Sequence, residues 1–451
     1  MTNPVQHGGS VSRIRLRAPS AALAFAIMLA PAVVAVQSAQ AQAVGQVPRP
    51  RPLPTRNMTL TVLHKFEDKT DGGYPLAGLF LDKAGNLFGT TSLGGRNSCS
   101  DGCGIVFKLD KTNKETVLHR FTGRDGNSPD ASLIADAAGN SYGITQDGGS
   151  GGCGVGCGTV FRVDKFGTTT VLYTFTGGAD GGTPSGGLIE DADGSVYGAT
   201  FWGGDLSGCS TNGCGVLFKL DRFGSETVLY SFAGKVDGAN PNGGLVRDAR
   251  GNFYGTAAYG GDSSCYLGCG AVFELDKNGH FTVLHSFTAG ADGVYPYAGL
   301  IRDTKGNLYG TTAGGGKPAK LCPTGCGTVF KVGKTGEETV LYSFKGGTDG
   351  VTPYAGLIRD AAGNLYGTTP WGGDPTCSDG IGGRCGVVFK VDSTGKETVL
   401  YRFKGADGDG PYRGSLVRDA AGNLYGTTSY GGNLSCGGTG IGCGVVFKLT
   451  P

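Results

Sequence analysis

A segment that begins "TVL" and runs to an aromatic residue, as in "TVLYSF" (Thr339 to Phe344), occurs seven times in this chain. The copies start at Thr61, Thr116, Thr170, Thr227, Thr282, Thr339 and Thr398, at offsets of 55, 54, 57, 55, 57 and 59 residues. A near-constant period of this size constrains the fold more than any other property. Each unit must be one module that buries its faces against its neighbours. Each carries four strand-like pieces, rich in β-branched and aromatic residues and separated by turn residues. In the sixth they are "TVLYSF", "GLIRD" (Gly356 to Asp360), "NLYGTT" (Asn364 to Thr369) and "GVVFKVD" (Gly386 to Asp392). Simple alternation in "TVLYSF" puts Val340, Tyr342 and Phe344 on one side and Leu341 on the other. Both faces are then partly apolar, as in sheets stacked against sheets.

This pattern predicts an all-β fold, a seven-bladed β-propeller with four antiparallel strands per blade. The chain ends support closure. The repeats open on a lone "TVLHKF" (Thr61 to Phe66) and close on "GVVFKLTP" (Gly444 to Pro451), with no "TVL" strand after it. Seven complete sheets therefore require the N-terminal strand to complete the last blade, which hides two sheet edges. A linear β-solenoid is the alternative. It would gain nothing from that offset and would want distinct capping repeats.

Residues 1–43 have another character. Arg13, Arg15 and Arg17 precede an apolar run from Ala21 to Val36, and "AQAQA" (Ala39 to Ala43) supplies small residues at alternate positions. This is the pattern of a secretory signal peptide. A membrane anchor is the competing use, but a run containing Pro31 is short against the about 20 residues a span needs. Residues 44–60, with "VPRPRPLPTR" (Val47 to Arg56), read as an extended Pro/Arg-rich linker or a proline-rich ligand. Residues 61–451 form the repeats. Without residues 1–43 the chain has 36 basic against 37 acidic residues. A nearly neutral chain carries no electrostatic footprint for nucleic acid. The expectation is a monomer with no transmembrane segment in the mature chain, secreted, periplasmic or at the cell surface.

The unit "AGLIRDAAGNLYGTT…GG…CG-VFK-D…G-ETVLYSF" resembles the GloVer tandem-repeat family of bacterial exported proteins, over Thr61 to Pro451. The resemblance implies propeller-like repeats and surface association, commonly through a C-terminal anchoring segment. Here Pro451 follows directly on the last strand, which argues against that mode of attachment. The family implies no biochemical activity and no catalytic residues.

We label the strands of a blade a ("GLIRD"), b ("NLYGTT"), c ("VVFKVD") and d ("TVLYSF"). The a–b connections, such as "DAAGN" (Asp360 to Asn364), read as hairpin turns, with a calcium loop as the alternative for "DADGS" at Asp191. The c–d connections are also tight. The d–a and b–c loops are long and emerge on one face, where function concentrates. All 14 cysteines fall in b–c loops: Cys99/Cys103, Cys153/Cys157, Cys209/Cys214, Cys265/Cys269, Cys322/Cys326, Cys377/Cys385 and Cys436/Cys443. An even count in an exported chain means disulfides, most simply these local pairs. A metal site would want thiolates and usually histidine, and these loops hold none.

A glycine pair follows strand b. The residue before it is Leu93, Asp147, Trp202, Tyr259, Gly314, Trp371 or Tyr430. The d–a loops add Tyr74, Tyr295, Tyr297, Tyr354 and Tyr412. The candidate ligand-binding residues are therefore Trp202, Tyr259, Trp371, Tyr430, Tyr297, Tyr354 and Tyr412, whose rings suit sugar or peptide binding. Packing beneath the loops is the other use of the same rings. Trp202 and Trp371 lie three units apart and would stand as exposed anchors nearly opposite one another. The Asp-Gly aspartates Asp71, Asp125, Asp180, Asp237, Asp292, Asp349 and Asp407 read as turn formers, with a ring at the channel mouth as the alternative. His64, His119 and His285 alternate with tyrosine and read as packing residues.

Neither a nucleophile elbow nor a phosphate loop appears. The expected function is a noncatalytic binding module with no cofactor and no metal, whose partner is a polysaccharide or another envelope component. The alternative is a glycan lyase or hydrolase using acids of an irregular unit. Unit two, with Asp130 and Asp147, is the irregular one.

Overall fold

The computed structural model describes residues 58–451 except 69, 96–98, 208, 210–211, 378–384 and 437–439. The expected signal peptide and all but the end of the linker lie outside the described residues. Strand pairing begins at Thr59, two residues before the expected boundary.

The strands form seven antiparallel sheets, one per blade, in a ring: a seven-bladed β-propeller. In blade 6 the strands are Ile358–Arg359 (a), Leu365–Thr369 (b), Val387–Val391 (c) and Glu397–Arg402 (d). The N-terminal strand Thr59–Lys65 pairs antiparallel with Val445–Thr450 and is strand d of blade 7.

The seams between blades are nearly identical. The phenylalanine after each strand d meets the phenylalanine of strand c in the next blade, edge to face. Phe344 and Phe389 have ring centroids 5.1 Å apart, and the contact recurs at Phe66–Phe107 (5.2 Å), Phe121–Phe161, Phe175–Phe218, Phe232–Phe273, Phe287–Phe330 and Phe403–Phe447. Both rings of each pair are buried. Phe66–Phe107 seals blade 7 to blade 1, and Thr427 Oγ1 donates to the Ala77 carbonyl across the same seam at 2.8 Å. The glycine of "NLYGTT" is required here: a Cβ at Gly367 would lie 2.6 Å from Phe389 Cζ.

Simple alternation in strand d does not hold. Val329 pairs with Tyr342 and Phe330 with Val340, so Leu341 is bulged out of register. The same bulge recurs in every strand d. Directly opposed residues share a face, so the bulge puts Val340 on the Phe330 face and Tyr342 on the Val329 face. One sequence thereby serves both neighbouring blades.

The a–b connections are Asx-type hairpin turns. Asp360 Oδ1 accepts the Asn364 N–H at 2.8 Å, and Asp360 Oδ2 accepts the Tyr366 hydroxyl at 3.0 Å. In "DADGS", Asp191 accepts the N–H of Asp193, the N–H of Ser195 and the Tyr197 hydroxyl. These bonds occupy the carboxylate that a calcium loop would have used. The long connections share the other face.

Candidate functional site

On that face strand b runs past the sheet to meet the d–a loop. The residue before the glycine pair is backbone-paired in all seven blades: Leu93 to Gly73, Asp147 to Asn127, Trp202 to Gly182, Tyr259 to Ala239, Gly314 to Val294, Trp371 to Val351 and Tyr430 to Asp409. This position is built into the fold, and its side chain is delivered from a fixed backbone. The chain then turns away through left-handed glycines. Gly372 has φ 81°, and a Cβ there would lie 2.7 Å from the Gly347 carbonyl oxygen.

All seven expected cysteine pairs are disulfides, and the described residues contain no free cysteine. The second cysteine of each pair is buried. Its carbonyl reaches into the next blade and accepts the N–H of the residue before a proline. The bonds are Tyr74 to Cys443, Ser128 to Cys103, Thr183 to Cys157, Asn240 to Cys214, Tyr295 to Cys269, Thr352 to Cys326 and Gly410 to Cys385, at 2.7–3.3 Å. Every one of these N–H donors has a left-handed backbone, with φ between 54° and 61°. For threonine and tyrosine this is a sparsely populated region, held only where surrounding contacts over-determine it. The buried proline that follows fixes the next step. The residue after it is Leu76, Asp130, Ser185, Asn242, Tyr297, Tyr354 or Tyr412, and of these Asp130, Asn242, Tyr297 and Tyr354 line the cavity at the central axis.

The mouth has two unlike halves. Blades 4–7 supply rings in continuous contact. The Tyr259 and Tyr297 hydroxyls share a hydrogen bond of 2.7 Å. Tyr297 and Tyr354 have centroids 5.3 Å apart, and Tyr354 and Tyr412 stack at 4.8 Å. Trp371 stands edge-on to Tyr354 and Tyr412 at 5.6 and 6.1 Å. Burial and neighbouring tyrosine hydroxyls push the phenols of Tyr297 and Tyr354 above their ordinary range. Blades 2 and 4 supply Asp130 and Asn242 instead, while Ser185 of blade 3 is buried, its hydroxyl donating to the Pro241 carbonyl at 2.7 Å.

The structure therefore brings together Tyr259, Tyr297, Tyr354, Trp371 and Tyr412, all half-buried. Tyr430 stands edge-on to Tyr74 at 5.7 Å. The picture of two exposed tryptophan anchors is corrected. Both tryptophans are half-buried, Trp371 against Tyr354 and Tyr412 and Trp202 against the Phe201 beside it in the chain. Trp202 leans on Phe201 at 4.8 Å and lines a groove of about 700 Å³ with Tyr259 and Tyr266, at the far end of the arc.

The Asp-Gly aspartates serve the outer strand. Asp125 binds the Thr122 N–H at 2.8 Å and His119 Nε2 at 2.8 Å, while Asp349 binds the Tyr342 hydroxyl at 2.8 Å. That accounts for the exchange of histidine with tyrosine. Among the described residues, His64, Asp71 and Glu115 offer ligand atoms within 4.8 Å of one another. Arg120 acts electrostatically on Glu115 and donates to the Thr70 carbonyl, which supplies a cation to that cluster from the chain itself. Asp68 adjoins Cys436 and Cys443, but those sulfurs form a disulfide and are not thiolate ligands.

The loop face also holds a residue that pattern reading passed over. Arg413 is an insertion in "PYRGSL" where blade 6 reads "PYAGL", and its Nη1 donates to Asp130 Oδ2 at 2.8 Å. The register slip was the available signal.

In fold the chain is similar to two extracellular domains of Bacteroides thetaiotaomicron. One belongs to a putative hybrid two-component system (TM-score 0.51, 13% identity, 87% of this chain and 41% of that one). The other belongs to a putative one-component system (TM-score 0.51, 8% identity, 87% of this chain and 40% of that one). This chain thus spans about two fifths of the length of those structures. No curated protein sequence is similar to it. Matches over residues 52–267, 155–381 and 267–451 cover the whole repeat region, and the chain belongs to the Gloeobacter/Verrucomicrobia repeat family.

Proposed function

We propose that the chain is an exported, noncatalytic binding module for polysaccharide, a free polymer or one carried on the cell envelope, and that the aromatic arc is its binding surface. The observation that carries this reading is the arc itself. Five half-buried rings from four blades are held by backbone pairs, left-handed residues and disulfides on the face with the long loops. Rigid aromatic platforms with hydroxyl tips bind the apolar faces of sugar rings at little entropic cost. The seven disulfides support an oxidising compartment, in keeping with the leader-like residues 1–43. The protein acts as a monomer without a cofactor.

A second reading, glycan cleavage, rests on Asp130. Burial pushes its carboxyl up to about 6 against the opposing pull of Arg413, and Asp147 adds to the rise. A carboxylic acid near a second carboxylate is the arrangement of glycoside hydrolysis. One experiment separates the readings. Residues 44–451 are screened on a glycan array beside Tyr354→Ala and Tyr412→Ala, and the bound glycan is then assayed for new reducing ends. Binding that both variants lose, with no release, supports the module. Release of reducing ends that Asp130→Asn abolishes supports cleavage. No binding to any glycan overturns both.

A further inference from the structure

The repeat is irregular at two places that lie far apart in the chain. Six blades read proline, one variable residue, two small residues and leucine, as in "PYAGL" (Pro353 to Leu357). Blade 7 inserts Arg413 into that run, and blade 2 alone puts a charged residue, Asp130, in the variable position. The fold brings the two exceptions together. Their 2.8 Å ion pair joins residues 283 positions apart, with the Asp130 side chain 5% exposed and that of Arg413 36% exposed.

The pair sits on the wall of an axial cavity of about 220 Å³. The rest of the wall combines small residues where neighbouring strands a converge, such as Gly78, Ser132, Gly299 and Ser415, with leucines of the same segments, such as Leu300 and Leu357. These strands approach so closely that a Cβ at Gly243 would lie 2.5 Å from the Ala298 backbone. Tyr297 and Tyr354 line the same cavity, so it is continuous with the aromatic arc. The Arg413 guanidinium lies 6.0 Å from the Tyr412 ring centroid and links the arc to Asp130.

We propose that this axial cavity is a subsite for a single neutral pyranose residue at the end of a bound glycan, with Asp130 and Arg413 reading its hydroxyls. The inference rests on the polysaccharide reading above and adds its specificity. The volume is below that of pockets that enclose drug-sized ligands, and it suits one ring. A carboxylate only accepts and a guanidinium only donates, so side by side they match neighbouring hydroxyls, each of which does both. The tyrosines meet the flat apolar side of the ring. Asp147 adds negative charge near Asp130, which disfavours a uronate.

The test is competition. Residues 44–451 are bound to the polysaccharide that the array identifies, and D-glucose, D-galactose, D-mannose and D-glucuronate are titrated as competitors. The subsite predicts that at least one neutral hexose competes and that glucuronate does not. Asp130→Asn and Arg413→Ala should each weaken that hexose about tenfold or more, the scale of one lost charge-assisted bond. Asp130→Asn keeps the shape but removes the charge that pairs with Arg413, so its melting temperature should fall somewhat, and circular dichroism is used to verify that it keeps the parent fold. Competition unchanged in a folded Asp130→Asn protein would make the pair a mere pin for the inserted residue and overturn the subsite, while the arc reading stands. Glucuronate competing better than every hexose would also overturn it. Failure of the parent to bind any glycan overturns the arc reading and the subsite together.

Discussion

The N–H of Thr352 donates to the carbonyl of Cys326 at 2.8 Å, across the seam between blade 5 and blade 6. Cys326 is tied to Cys322, and Thr352 stands two residues before Tyr354. A disulfide in one blade thus positions a ring of the next. Each closed loop is small, so the Cys322→Ser/Cys326→Ser double variant should lose only about 2 kcal/mol of stability on the chain-entropy estimate. The expected larger effect is on glycan affinity, which should fall towards that of Tyr354→Ala. Melting curves and titrations on the same samples check this.

Thr352 has φ 57°, a strained setting for a β-branched residue, whereas blade 7 uses Gly410 at φ 61° in the equivalent place. Thr352→Gly should therefore stabilise the protein. Relief of left-handed strain, worth about 1–3 kcal/mol, exceeds the added unfolded-chain entropy of glycine, about 0.4–1 kcal/mol. Chemical denaturation would reveal a higher midpoint. A lower midpoint would mean that the backbone there is unstrained.

Ring closure rests on Thr59–Lys65 and on the Phe66–Phe107 contact. Phe66→Ala should cost about 3–5 kcal/mol, as for other fully buried phenylalanines. Deleting residues 59–66 should expose the edge of strand Val445–Thr450 and produce aggregates by light scattering. A soluble truncated protein as stable as the parent would contradict the closed ring.

Much of this fold was legible in the chain because a repeat amplifies each signal. The period gave the blades, and the lone "TVLHKF" gave the closure. The bulge at Leu341 was not legible, since Val340, Leu341 and Tyr342 are all apolar and alternation alone cannot register an extra residue. The site was half legible. Tyr297, Tyr354, Trp371 and Tyr412 could be named from their loops, but not their mutual contact, which depends on the curvature of the ring. The left-handed conformation of Thr352 carries no sequence signature, because a threonine before a proline reads as extended chain. Arg413 and Asp130 each look like local noise until the ring brings them together.

The blade seams also carry a pH response. Glu115, Glu226, Glu338 and Glu397 open their strands d, half-buried, each with one buried carboxylate oxygen lacking a hydrogen-bond partner. Burial pushes all four up to about 7, and an Asp-Gly aspartate (Asp71, Asp180, Asp292 or Asp349) adds to the rise. A carboxyl with a raised native pKa favours the fold while protonated, so its contribution fades as pH climbs from its unfolded value towards 7. The turn aspartates Asp136, Asp303, Asp360 and Asp419 are shifted downward by their hydrogen bonds against the cost of burial, and they lose their contribution in acid. Melting temperature should therefore be higher near about pH 5 than near about pH 8. Replacing the four glutamates with glutamine should flatten that slope. A parent that is more stable at the higher pH would contradict the assignment.

The most direct test of the aromatic arc uses its own fluorophore, because Trp202 and Trp371 are the only tryptophans in the chain. In Trp202→Phe, emission reports Trp371 alone, which stands against Tyr354 and Tyr412. The measurement is titration of this variant with the polysaccharide found on the array, alongside calorimetry. The arc predicts a saturable change in Trp371 emission that follows the calorimetric binding curve and disappears in Trp202→Phe/Tyr354→Ala. Calorimetric binding with no change in Trp371 emission would place the ligand elsewhere and contradict the account.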